Sequence, residues 1–262
     1  MNLEQLEKKL EEKIADYDHE IERLKAVTAV QNLMAAYEAV HITPEEIWKT
    51  SDLFALWRPD CSVEVSLQGC IVGPENIKEY WSNMKAYSIK GAAFWHAVTT
   101  PLIQVAGNGM TAKATFKSPG FECGLELQEG RPPFNTWCFG NYAMDFIKNP
   151  ETGEWKIWHM HWYRQTRNDY DKNFIDFAQF EHDNPPKRRP KEGNYEVHPT
   201  VYHRCLSVTE DTHPFPCAPA PYYDYDGDFN SWQYGDEAMQ KRYGVEIPDY
   251  RKLYNANYPE RI

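Results

Sequence analysis

Histidine is the side chain that moves protons in either direction near neutral pH, and two groups of histidines here have spacings that let them act together. Tyr37, Glu38 and His41 fall in a helical pattern. His41 stands four residues after Tyr37 and three after Glu38, so one helix face can present a phenol, a carboxylate and an imidazole. His159 and His161 fall in a strand pattern and, being two apart, share a face. If Ile157 faces the interior, His159, His161 and Tyr163 face it too, and Trp158, Met160 and Trp162 cover the outside. With the faces reversed, Trp158, Met160, Trp162 and Arg164 line the interior, and the two histidines meet whatever packs on the outer side. His159 and His161 with His96 would make an imidazole set that suits zinc or iron. No carboxylate or cysteine joins them at a recognisable spacing, so no metal is expected and the chemistry is read as plain acid-base work.

The elements that must position these groups are readable from periodicity. Apolar residues recur every three or four positions from Leu3 through Tyr37, which predicts a long helix over 3–37 with a charged first half. That first half suits either a coiled-coil contact with another subunit or packing on its own domain. Thr43-Pro44-Glu45-Glu46 predicts a second helix, capped by Thr43 and carrying Ile47, Trp48, Leu53 and Phe54. Alternation over Cys61–Leu67 predicts a strand, and Gly73-Pro74-Glu75 opens a short helix with Ile77, Tyr80, Trp81 and Met84. Long strands are predicted over 93–105, 110–122, 136–147 and 155–164, the last two joined by a turn at Asn149–Gly153. Helices first and a mostly antiparallel, meandering sheet afterwards make an α+β fold.

Composition narrows the partners. Lys and Arg total 28 against 39 Asp and Glu, and the net charge of -11 repels phosphate backbones and anionic lipid, so neither nucleic acid nor membrane is expected. The basic run Lys187-Arg188-Arg189 with Lys191 lies among prolines and reads as a solvated linker. No leader-like apolar core and no membrane-length apolar run occurs, which predicts a soluble, cytoplasmic protein. The six cysteines lack any C-x-x-C spacing and read as buried thiols. Aromatic residues make up 15% of the chain, nine of them tryptophan, more than core packing asks for, and pockets for flat ring compounds use such side chains. Trp81, Phe94 and Tyr142, with Glu38, are the expected substrate contacts. Residues 181–262 hold ten of eighteen prolines and ten of seventeen tyrosines without periodicity, and predict an irregular arm that wraps the core or a neighbouring subunit. Within it Asp224-Tyr225-Asp226-Gly227-Asp228 reads as a solvated turn, its glycine being misplaced for a calcium loop. The division is therefore 1–23 as a helical extension, 24–180 as the domain and 181–262 as the arm.

From about Leu24 to Thr166 the chain resembles the SnoaL-like branch of the nuclear-transport-factor-2-like superfamily. The resemblance rests on Leu33-Met34-Ala35-Ala36-Tyr37, Asp52-Leu53-Phe54-Ala55, Gly73-Pro74-Glu75-Asn76-Ile77, His96-Ala97-Val98-Thr99-Thr100-Pro101 with Ile103-Gln104-Val105, and Gly153-Glu154-Trp155-Lys156-Ile157, in that order. It implies a cone-shaped curved antiparallel sheet closed by N-terminal helices, with chemistry inside the cone and no organic cofactor. Members include scytalone and bile-acid dehydratases, polyketide cyclases, ketosteroid isomerase and diarylpropane lyases that release formaldehyde. The resemblance gives His96 the place of the cavity histidine and Tyr37 that of the cavity tyrosine. Family dehydratases carry an aspartate about one and a half turns after that tyrosine, whereas this chain has His41-Ile42 and no aspartate before Asp52, which leaves His41 or Glu38 as substitutes. The candidate catalytic set is thus His96, Tyr37, His41, His161 and His159. The expected activity is a cofactor-independent lyase acting on a small hydroxylated aromatic or polycyclic molecule, by dehydration or retro-aldol loss of formaldehyde. An isomerase or cyclase, or a non-catalytic binding or assembly module, is the alternative. A homo-oligomer, dimer or trimer, is the expected assembly.

Overall fold

The computed structural model describes residues 2–43, 45–65, 69–84, 91–125, 133–184, 197, 206–209 and 216–225. Ser66 and Leu67, the basic run at 187–191, Asp226–Asp228 and most of 185–262 lie outside the described residues.

Asn2 starts the first helix, α1 (Leu3–His41): its side chain accepts from the Gln5 amide at 2.8 Å while the Gln5 side chain accepts from the Asn2 amide at 3.1 Å. This reciprocal pair satisfies two amides that a helix N-terminus leaves open. The helix is unbroken through residue 23, where the sequence pattern divides extension from domain. From Ala26 onward one face is buried, carrying Val30, Leu33, Met34, Tyr37 and His41. The segment predicted as a second α-helix is a 3-10 helix, Ile47–Leu53. Thr43 starts it with its backbone carbonyl, accepting from Glu46 and Ile47, and no side chain caps it. Phe54 has already left it to bridge Ile157. The helix predicted at Gly73-Pro74 forms as α2 (Pro74–Met84) and buries Ile77, Tyr80 and Trp81.

Among the described residues, seven strands make one sheet: β1 (Ser62–Val65), β2 (Cys70–Val72), β3 (Ala93–His96), β4 (Thr99–Val105), β5 (Thr111–Gly124), β6 (Phe134–Lys148) and β7 (Trp155–Asp169). Their order is β2-β1-β7-β6-β5-β3, with β4 also on β5, and every pairing is antiparallel except β1 with β7. The α+β reading holds, with N-terminal helices and an open curved sheet. The single strand predicted over 93–105 is two strands: the ladder breaks at Ala97–Val98 opposite Pro119, which accepts from the Ala97 amide but has no N–H to return. Within β4 the register slips between Thr99 and Leu102 around Thr100, a β-branched residue at φ 50. The β6–β7 turn forms as predicted, with Gly153 at φ 73 and the Asn149 side chain accepting from the amides of Glu151 and Thr152. A third helix, α3 (Phe174–Asp183), runs past residue 180 and fastens to β7 through Arg164 and Glu181 at 2.7 Å. Phe174, Ile175 and Phe180 of α3 are exposed, so it carries no clean apolar stripe for the eye to find. No described helix is long and apolar enough to cross a membrane.

The described part of the C-terminal region docks on the sheet. The Gly107 and Asn108 amides donate to the carbonyls of Tyr222 and Tyr223 at 2.8 and 3.2 Å, and Asn108 Nδ2 donates to Asp224 at 2.6 Å. A Cβ on Gly107 would collide with the Tyr223 ring, so the close approach needs glycine there. Tyr225 donates its hydroxyl to Asp145 at 2.8 Å and lies 3.1 Å from His159 Nδ1. Asp224 and Tyr225 are therefore docked, not a solvated turn. Tyr225→Phe removes one hydrogen bond from two fully buried partners, and is expected to lower stability by about 1–3 kcal/mol in urea unfolding. An unchanged midpoint would mean that this contact contributes nothing to the fold.

Candidate active site

Strand pairing decides which side chains meet. Tyr142 pairs with Trp162 and Met144 with Met160, and Tyr142 touches Tyr37 of α1 at 5.8 Å between ring centres, so this is the face that α1 covers. Ala143 with His161 and Asp145 with His159 then belong to the opposite face. A bulge places Trp158 between Ile157, which pairs with Phe146, and His159, so Ile157 and His159 no longer share a side. The two histidines are accordingly parted from His96, Tyr37 and His41. His159 Nδ1 meets Asp145 at 2.8 Å, and His161 Nδ1 lies 3.4 Å from Glu64, all four groups being buried. Trp158 sits at the bulge against Arg58 and Tyr225, and Arg164 turns to Glu181. Met160, Trp162 and Arg164, which pairs with Gly140, are the parts of the reversed-face alternative that lie on the α1 face.

On that side the chain assembles a continuous row. The Tyr37 ring stacks on His41 at 4.9 Å, and His41 Nε2 lies 3.2 Å from His96 Nδ1. His96 Nε2 lies 3.3 Å from Glu122 Oε1, and Glu122 Oε2 accepts from Arg167 Nε at 2.8 Å and pairs with Arg167 Nη2 at 2.7 Å. Each member comes from a different element: α1 gives Tyr37 and His41, β3 gives His96, β5 Glu122 and β7 Arg167. His96 pairs with Gly120, and Glu122 stands two residues further on the same face. A Cβ on Gly120 would run into the Trp95 carbonyl and the His96 Cα, so glycine permits the close strand approach beside the imidazole. Gly140 serves likewise: a Cβ there would strike the Trp162 indole, whose ring stacks on His96 at 5.2 Å.

A second row runs from Tyr37 to Tyr142 and on to Ser118, whose Oγ accepts from Trp162 Nε1 at 3.2 Å. Trp81 stands edge-on to Tyr37 at 6.1 Å, and Phe94, half-buried, shares the His96 face two residues earlier. Glu38 is partly buried on α1 within the electrostatic reach of His96. The structure thus brings together His96, Tyr37, His41, Trp81, Tyr142, Phe94 and Glu38, and adds Glu122 and Arg167, which sequence reasoning missed. Glu122 ends a predicted strand, where a carboxylate reads as solvated. Pairing His96 across the hairpin would have found it.

The environment assigns charges. Burial pushes the Glu122 carboxyl up, but hydrogen bonding to His96 and the Arg167 charge outweigh it and hold the group down at about 2. Burial, aided by the His96 charge, pushes His41 down to about 3, so it is neutral at pH 7. Burial raises the Tyr37 phenol well above its ordinary range and raises Tyr142, keeping both as hydrogen-bond donors. Burial also raises Glu38, against the lowering pull of His96. His96, Glu122 and Cys138 bring one ligand atom each within 4.8 Å of one another. Arg167 already neutralises that carboxylate, and burial keeps the Cys138 thiol protonated, so the set suits a divalent cation poorly.

Residues 22–161 match the SnoaL-like domain family over more than half of the chain. The chain belongs to the SnoaL-like domain family. No curated protein matches it. Among solved structures, this SnoaL-like chain is similar to a provisionally assigned scytalone dehydratase from Novosphingobium aromaticivorans DSM 12444, with 17% identity over 58% of this chain and 93% of that one and a TM-score of 0.45. It is similar to the LinA-type3 hexachlorocyclohexane dehydrochlorinase of Novosphingobium barchaimii LL02, with 15% identity over 59% and 96% and a TM-score of 0.45. A third likeness is to a nuclear-transport-factor-2-like protein of Salmonella enterica serovar Typhimurium LT2, with 16% identity over 59% and 99% and a TM-score of 0.40. These likenesses concern the fold. The SnoaL-like row has its carboxylate on β5, where Glu122 meets His96 from the side away from His41.

The two shifted groups separate by pH. His41 is unprotonated in the fold down to about 3 but ionises near 6.5 when unfolded, so acid favours the unfolded chain across that window. Stability is expected to fall by up to about 1.4 kcal/mol per pH unit for this group as pH drops below 6.5. Glu122 adds its own loss only below its unfolded value of 4.5, as pH falls toward 2. Urea midpoints from pH 7 to 3 should therefore steepen below 4.5, and His41→Gln should flatten the upper segment and leave below 4.5 only the slope that Glu122 contributes. An unaltered upper segment in that variant would remove His41 as its source.

Proposed function

We propose that this SnoaL-like chain is a cofactor-independent lyase that works by proton transfer on a small hydroxylated aromatic or polycyclic molecule, through dehydration or retro-aldol loss of formaldehyde. The observation that carries this reading is the His41–His96–Glu122 row closed by Arg167. A proton taken by either imidazole comes to rest on His96, because buried His41 does not hold a charge at neutral pH. There the imidazolium is flanked by an anchored carboxylate, which stabilises the charge as it forms and fixes the ring's orientation. Tyr37 and Tyr142, whose phenols stay protonated, supply donors for the oxygen that departs or gains charge. Trp81, Phe94 and Trp162 offer flat apolar surface for a ring. Nothing in this scheme needs a group beyond the chain's own residues.

A thermal-shift screen of hydroxylated aromatics and steroids supplies the ligand, and steady-state kinetics on it test the roles. His96→Ala is expected to lower kcat far more than it raises KM, since a proton-transfer group acts chiefly in the transition state. Tyr37→Phe keeps the ring and loses one donor, at a cost of about 3 kcal/mol in transition-state stabilisation. Near-normal turnover by a folded His96→Ala protein would refute His96 as the base. Turnover is also expected to survive exhaustive chelation. Loss on chelation, with recovery on adding one metal, would place the reaction in the metal-assisted class.

A further inference from the structure

The N-terminal half of α1 leaves a continuous apolar stripe uncovered. Leu3, Leu10, Ile14, Tyr17, Ile21 and Leu24 are 47–72% exposed, far more than large apolar side chains on a finished surface need to be. They fall in heptads, with Leu3, Leu10, Tyr17 and Leu24 at one seam position (d) and Ile14 and Ile21 at the other (a). The opposite side of the same helix is the one fixed to the body. His19 Nε2 lies 2.7 Å from the Gly107 carbonyl, Arg23 donates to the Val105 carbonyl at 3.2 Å, and burial begins at Ala26 on that line. At about 100° per residue the two stripes lie roughly opposite each other. The exposed seam is therefore held outward, and covering it disturbs nothing in the domain.

We propose that residues 3–25 pair with the same segment of a second copy of this chain as a parallel two-stranded coiled coil. The flanking charges select this occupant and this direction. In a parallel pair the g position of one helix faces the e position five residues later on the other. Lys13 then meets the partner subunit's Asp18, and Glu20 meets the partner subunit's Lys25, each contact made twice by the two-fold symmetry. An antiparallel pair sets e against e and g against g, which puts Glu11 opposite the partner subunit's Asp18, like charge on like, beside the opposite-charge pairs of Glu4 with the partner subunit's Lys25 and Lys13 with the partner subunit's Glu20. The parallel pair brings no like charges together. These exposed pairs set direction more than strength, and Glu20 already bonds Arg23 within its own helix. Glu7 takes the a position of the first heptad and weakens pairing there, which concentrates the contact on Leu10–Leu24. The segment is too short to be a robust helix alone, but here it extends a helix already nucleated and packed on the domain.

Sedimentation equilibrium of the full chain at micromolar concentration tests this. The expected mass is twice that of one chain, and Ile14→Asp with Ile21→Asp halves it while leaving the thermal midpoint of the domain in place, since both side chains are exposed. Lys13→Glu alone should weaken association, and adding Asp18→Lys should restore it, because the two residues face each other only in the parallel pair. A single-chain mass for the native protein overturns the proposal, whether the stripe is bare or covered by the chain's own C-terminal residues. So does an assembly that the Ile14/Ile21 variant leaves intact, and failure of the second charge change to restore association overturns the parallel arrangement.

Discussion

Taking a carboxylate out of water costs several kcal/mol unless partners replace the lost hydration, and the site depends on how Glu122 meets that cost. Arg167 covers one oxygen from β7, and His96 and Cys138 approach the other from β3 and β6. Three strands must be in register at one level of the sheet for this to happen, and a slip of one residue on any of them would turn its side chain to the opposite face. The ion pair therefore ties the register of β3, β5 and β7 to the protonation state of the site. His41 depends on it in turn: a second imidazole beside His96 is tolerable inside the protein because His41 stays neutral and the available positive charge sits next to Glu122.

The strands β5, β6 and β7, the Asn149–Gly153 turn, α2 and the helix bearing Tyr37 and His41 were legible because their period or turn chemistry is local. Likewise local was the match that gave His96 its place on the α1 side. What was not legible depends on pairing between distant strands. The bulge at Trp158 is set by the β6 partner, and it alone moves His159 and His161 away from Ile157. Glu122 is a site residue only through the alignment of His96 with Gly120, and nothing in its neighbours along the chain distinguishes it from a solvated acid. The 3-10 helix at Ile47–Leu53 went astray for a related reason, since cap signals show where a helix starts and not which hydrogen-bond ladder follows.

The missing aspartate after Tyr37 also takes on a physical sense. His41 stands beside His96 on α1, and a neutral imidazole there cannot balance an imidazolium as an anion does. The balancing charge comes instead from the far side of His96, on a strand that also carries Gly120. A carboxylate on both sides would leave two buried anions around one imidazole, with Arg167 able to neutralise only one. The histidine on α1 and the glutamate on β5 are in that sense two halves of one arrangement.

The outer face of the sheet bears on the same site through β6. Asp145 and Tyr142 lie three residues apart on that strand and point to opposite faces: one is held by His159 and Tyr225, the other touches Tyr37. Asp145 is wholly buried and so needs its partners as much as Glu122 does, and one of them, Tyr225, comes from the C-terminal region. Removing that partner would leave a buried acid undersatisfied on the strand that aims Tyr142. Strands transmit such displacement because their pleat is stiff and their two faces share one backbone. The docked tyrosine thus satisfies the face of β6 opposite the one that carries Tyr142.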